Sequence, residues 1–132
     1  MKNTDEVLIL DTDDADVSQP IITENEDCIK IRIVIDGSYD GKLTFVSSDV
    51  QKVRPDFSQP ASDANPYSPI QVIDNDTGNA ISGSTGVTFS PSGSEQVFCY
   101  EYNTNGQGLI GLITSGATGG KLKAYLRKYE IS

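Results

Sequence analysis

Between Cys28 and Ile35 the side chains alternate, with Ile29, Ile31, Ile33 and Ile35 on one face and Lys30 and Arg32 on the other. A period of two marks a strand with one face buried. Asp36–Gly41 (DGSYDG) follows as a turn, its glycines available for positive φ. Lys42–Ser47 then runs back as a hairpin partner. Further strands are predicted over 70–73, 86–90, 95–102, 108–114 and 120–129. In the last of these Leu122, Ala124 and Leu126 face inward, while Lys121, Lys123, Tyr125, Arg127 and Tyr129 face out. Val7–Leu10 is a candidate extra strand, paired within the domain or onto a neighbouring subunit.

Between these runs lie the breakers. Residues 54–69 hold Pro55, Pro60, Pro66 and Pro69 among Ser, Asp and Asn, which excludes a paired central strand and predicts a long surface excursion. Six of the twelve glycines fall between 106 and 120, so the loops there are tight. No segment has helical periodicity of useful length. About seven short strands separated by turn signals predict an all-β fold, an antiparallel β-sandwich with jelly-roll or Greek-key-like connections.

Charge divides the chain. The first 27 residues hold nine acids against Lys2 alone, and so carry eight of the nine net negative charges. A segment so biased repels itself and is costly to fold into a core. The sequence therefore predicts an extended acidic arm over 1–27 and a β-sandwich over 28–132. The arm is expected to become ordered only against a partner. No stretch of about 18 apolar residues is present, so no membrane span is expected. The opening Met-Lys turns acidic too soon for a secretory signal. Nucleic acid is not an expected partner either, since phosphate binding needs a basic stripe. One basic cluster exists, Lys121, Lys123, Arg127 and Lys128. It fits either an acidic protein surface or the solvated face of a strand.

The chemistry is thin. Histidine is absent, which removes Ser-His-Asp and Cys-His nucleophiles and His-based metal sites. A carboxylate pair could hydrolyse a glycosidic bond, but nothing in the spacing of the 19 acids singles one out. No enzyme and no cofactor are expected. Cys28 and Cys99 have the separation of an immunoglobulin-type inter-sheet disulfide. The companion Trp and Tyr are missing, which favours two independent thiols, suited to assembly in a reducing cytoplasm. Asp11, Asp13, Asp14 and Asp16 lie close enough to suggest calcium, as does Asp74–Gly78 (DNDTG). The second fails the EF-hand pattern, with Asn79 at its sixth position and Thr85 at its twelfth, and reads as a turn. Tyr100 with Tyr102, and Tyr125 with Tyr129, share strand faces. They fit a platform for sugar rings or, more simply, aromatic pairing within a sheet or between subunits.

Two segments carry a resemblance: Ile33–Ser48 (IVIDGSYDGKLTFVSS) and Gly119–Leu126 (GGKLKAYL), with Thr114–Leu122 (TSGATGGKL) as the late hairpin. In order and spacing they resemble β-sandwich domains of phage virions. There a strand closes on a "G-x-hydrophobic-x-F" element ending in Ser, and a Gly-rich hairpin ends the domain. The Trp often found after that Ser is missing, and Phe98–Tyr102 (FCYEY) replaces the usual "V-R-V". The resemblance implies a structural virion protein, foremost a capsid decoration (cement) protein. Such a protein forms a homo-oligomer, dimer or trimer, and binds the major capsid protein on the capsid surface after synthesis in the host cytoplasm. Asp11, Asp13, Asp14, Asp16, Lys121, Lys123, Tyr125, Arg127 and Tyr129 are the candidate partner-binding residues. The alternatives are a carbohydrate-binding module of a tail or cell-surface protein, or a head–tail or tail assembly component.

Overall fold

A computed structural model describes residues 2–3, 6–23, 28–48, 54–102 and 108–130. Among these there is no helix. The strands are Lys2–Asn3 (β1), Val7–Asp11 (β2), Ile21–Ile22 (β3), Cys28–Ile35 (β4), Lys42–Ser48 (β5), Ser68–Pro69 (β6), Val72–Asp74 (β7), Ala80–Ile81 (β8), Val87–Thr88 (β9), Gln96–Tyr102 (β10), Leu109–Ser115 (β11) and Leu122–Glu130 (β12). All pairings are antiparallel. The larger sheet runs β1-β12-β4-β10-β7-β8, with β2 also on β12; the smaller runs β3-β11-β5-β6, with β9 also on β5. The β4–β5, β10–β11 and β11–β12 connections each cross from one sheet to the other. The fold is the β-sandwich that the alternation predicts.

The isoleucine face of β4 is its centre. Ile29, Ile31, Ile33 and Ile35 are buried, flanked by Leu122, Ala124 and Leu126 of β12, and pack with Leu43, Phe45, Ile110 and Leu112 of the smaller sheet. Phe45 meets Tyr100 across the core at 5.3 Å between ring centroids. Tyr100 and Tyr102 share the inward face of β10, so they form no exposed sugar platform: Tyr100 is core, and Tyr102 is packed against it.

The proline-rich excursion is more than a loop. Its last two residues form β6 on the edge of β5. Phe57 and Pro55 are buried, and the Phe57 ring lies over Gly111 of β11. By register Gly111 sits opposite Val46, on the side of the smaller sheet away from the Leu112–Phe45 core row. The excursion therefore covers the outer face of that sheet and buries Val46 and Leu109. Asn65 fixes its shape, accepting from Asp56 N at 2.7 Å and donating to the Asp56 carbonyl at 2.8 Å.

Much of the acidic segment lies on the sandwich of its own chain. β2 pairs with β12 across a bulge between Ala124 and Tyr125, burying Leu10. Val17 bridges to Ile113. Ser18 donates its N–H to the Leu112 carbonyl and accepts from Leu112 N on its hydroxyl, both at 2.9 Å. These contacts place residues 6–23 of the expected arm on the sandwich; residues 1, 4–5 and 24–27 of it lie outside the described residues. Apolar positions every few residues hold the strand against the sheet while the carboxylates point to water.

Two local expectations, on the glycines and on Tyr39, meet the structure differently. Gly37 and Gly41 do not have positive φ; they permit close approach, since a Cβ on Gly37 would meet the Gly93 carbonyl carbon at 2.6 Å. Tyr39, placed in a turn by sequence, is buried, and its ring lies 5.8 Å from Phe89. Cys28 and Cys99 are unbridged thiols on adjacent strands of one sheet, with Cys99 opposite Arg32, the two independent thiols that the sequence favours. Cys28 is buried and donates to Glu101 Oε1 at 3.0 Å, whereas Cys99 is only half-buried. The Asp74–Gly78 segment is the β7–β8 turn, with Gly78 at φ +74° and Asp74 Oδ1 accepting from Asp76 N.

Tyr39 Oη is buried with no hydrogen-bond partner among the described residues. Burial pushes its pKa up, and the nearby Thr114 hydroxyl only partly offsets this. A buried hydroxyl left unpaired costs about 1–3 kcal/mol. Tyr39→Phe is therefore expected to melt at or above the wild-type temperature. A clear loss of stability would mean that the hydroxyl is satisfied.

Candidate contact surface

The outer face of the larger sheet is built from side chains that alternate with its core rows. Register lays them out in cross-strand rows: Lys123–Val34–Val97, then Leu8–Tyr125–Arg32–Cys99, then Arg127–Lys30–Glu101. Leu8 and Val97 are about half exposed, at 47% and 49%. Arg32 is the hub. Its guanidinium stands 4.4 Å from the Tyr125 ring centroid and pairs bidentately with Glu6, Nε to Oε2 at 2.8 Å and Nη2 to Oε1 at 2.9 Å. A planar fork held on one side by a ring and on the other by a carboxylate has little freedom left to lose on binding. The result is a rigid, mixed apolar and cationic patch.

The Arg32 hydrogen bonds hold the Glu6 carboxyl below its ordinary 4.5, and Glu6 in turn raises Arg32. A lowered carboxyl pKa means that the pair contributes above pH 4.5 and is lost as pH falls through the lowered value. Both side chains are partly exposed, so the contribution is modest. Glu6→Gln is expected to cost about 0.2–1 kcal/mol at neutral pH, with the gap to wild type closing as pH falls through the lowered Glu6 value. Paired thermal melts across that range check it; a gap that persists in acid would contradict the assignment.

The acids and bases singled out from the sequence face each other. Asp11 stands opposite Lys123 in the β2–β12 ladder, and Lys121 Nζ lies 3.0 Å from Asp13 Oδ2. The Asp13 hydrogen bond raises the Lys121 pKa. Both partners of that pair are largely exposed. Asp11 also closes the turn, accepting Asp13 N on Oδ1 and Asp14 N on its carbonyl. Asp14 and Asp16 are exposed, and the Asp16 carbonyl accepts from Thr114 N and Oγ1 at 2.8 and 2.7 Å. Tyr125 and Arg127 stand on the outer face; for Tyr129 the described part is its backbone pairing with Cys28 and Asn3. Glu6, Leu8, Arg32 and Val97 belong to the same face and were not singled out. The Lys30/Arg32 alternation marked the outer side of β4, but not which residues of β2 and β10 would join it.

The chain is thus a two-sheet antiparallel β-sandwich with one outer face covered by its own excursion and the other carrying this patch. Two of the solved structures that share the fold are those of prophage-related proteins. The SPBc2 prophage-derived protein YomS matches with a TM-score of 0.63 at 8% identity, over 96% of this chain and 92% of that one. The PBSX exported protein XepA matches with a TM-score of 0.66 at 11% identity, over 96% of this chain but only 37% of the longer protein. No protein-family model and no curated protein sequence matches.

Proposed function

We propose that this chain is a non-enzymatic structural protein of a phage particle, and within that class a decoration protein that oligomerises and binds the major capsid protein lattice. The observation that carries the reading is the near end-to-end match with a prophage-derived protein, in which the sandwich is nearly the whole of both chains. The surface supports it physically. A lattice-binding protein needs a stiff frame and a prearranged patch, and here the Arg32–Tyr125–Glu6 cluster lies between the half-exposed Leu8 and Val97. Such a patch loses little entropy on docking.

A second reading follows from XepA, where this fold makes up about a third of a longer exported protein. On that reading the sandwich is a module working outside the cell rather than on the particle. Fractionating an induced, lysed culture separates the two. A decoration protein bands with the particles at roughly one copy, or one third of a copy, per major capsid subunit, as lattice symmetry requires. A few copies per particle would move it to the neck or tail. Recovery from the medium alone would favour the exported module.

A further inference from the structure

By their register against Ile29, Ile31, Ile33 and Ile35, the inward-facing residues of β10 are Tyr102, Tyr100, Phe98 and Gln96. The first three pack into or against the core. Gln96 breaks the row, a half-buried amide where the pattern calls for an apolar side chain. It lines a cleft of about 500 Å³ with Asp74, Val87, Phe89, Phe98 and Tyr100, where the β7–β8 edge of one sheet approaches β9 of the other. That volume is in the range of small-molecule sites.

The lining has two characters. Phe89 and Phe98, with ring centroids 5.4 Å apart and planes at 47°, make an aromatic wall. Opposite in kind are Gln96, Asp74 and Tyr100. The Gln96 side chain has no hydrogen bond to a described residue, and Asp74 uses Oδ1 for its turn, leaving Oδ2. Tyr100 is only 2% exposed, and its hydroxyl makes no hydrogen bond among the described residues. Burial raises its pKa, so it enters the cleft as a neutral donor. A wholly apolar ligand would leave this amide and carboxylate desolvated and unpaired. A phosphate or other anion would meet Asp74 and the nearby Asp76. A ring with an apolar C–H face and hydroxyls around its edge satisfies both sides, the face on the aromatic wall and the hydroxyl pairs on carboxylate, amide and phenol.

We propose that this cleft binds a pyranose residue of a neutral glycan. The site lies at the β8–β9 side of the sandwich, distinct from the outer face of the larger sheet, and stands whether or not the chain is part of a particle.

The test is a titration of the labelled protein with the methyl pyranosides of glucose, galactose, mannose and N-acetylglucosamine at millimolar concentration, followed by amide chemical shifts. At least one sugar should shift the Asp74, Phe89, Gln96 and Phe98 amides. Gln96→Ala and Asp74→Asn, the latter keeping the turn-closing oxygen, should each weaken binding by about tenfold. Thermal melting of both variants should stay at the wild-type value, so that a binding loss is not a folding loss. No shift at these amides with any of the four sugars, or shifts undiminished in both variants, would overturn the proposal. Particle fractionation is indifferent to either outcome.

Discussion

Gly111→Ala should destabilise the protein by about 3 kcal/mol, between the ~1–3 of an overpacked core and the ~3–5 of a buried Phe lost from its site. A Cβ at Gly111 would fall among the ring carbons of Phe57, which is 3% exposed and packed edge-on against Tyr67 at 5.2 Å. The ring cannot tilt without breaking that contact, so accommodation means lifting the excursion off Val46 and Leu109. Urea unfolding measures the cost. Phe57→Ala should cost a similar amount, and the double variant should cost little more than either single one, because the clash and the ring are one interaction. If the two costs simply add, Gly111 is not there for Phe57.

Ser18→Ala is expected to cost about 1–3 kcal/mol, which is large for removing one oxygen from an acidic segment. The side chain is 3% exposed and receives the Leu112 N–H, a donor that would be left buried and unpaired. Asp14→Ala, four residues earlier on the exposed turn, should change stability by less than about 0.5 kcal/mol. Amide exchange at Leu112 gives the local readout: it should speed up in Ser18→Ala and stay unchanged in Asp14→Ala. Equal and negligible effects would mean that the segment is undocked in the free protein.

These variants probe the places where the sequence was hardest to read. The β4 alternation and the Leu122/Ala124/Leu126 row were legible because each residue's side of the sheet follows from the period alone. Net charge over 27 residues concealed the docking of the acidic segment, since averaging hides Leu10, Val17, Ser18 and Ile21 at the positions that touch the body. The excursion reads as loop from its prolines, and only Phe57 and Gly111 together, 54 positions apart, show it to be a cover. The contact face was half legible. Its β12 members were visible, whereas Arg32, Leu8 and Val97 join them through register, which no local pattern encodes. The Lys121–Asp13 pair was not legible, because pairing between distant segments of a chain leaves no local signal.

Hydroxyl-radical footprinting of the chain, free and on the particle, tests the proposed contact most directly. We expect Leu8, Val97 and Tyr125 to lose labelling on the particle, while Tyr67 on the excursion keeps its own. Unchanged labelling at Leu8, Val97 and Tyr125, with protection on the excursion instead, would contradict the assignment of the larger sheet's outer face as the binding surface.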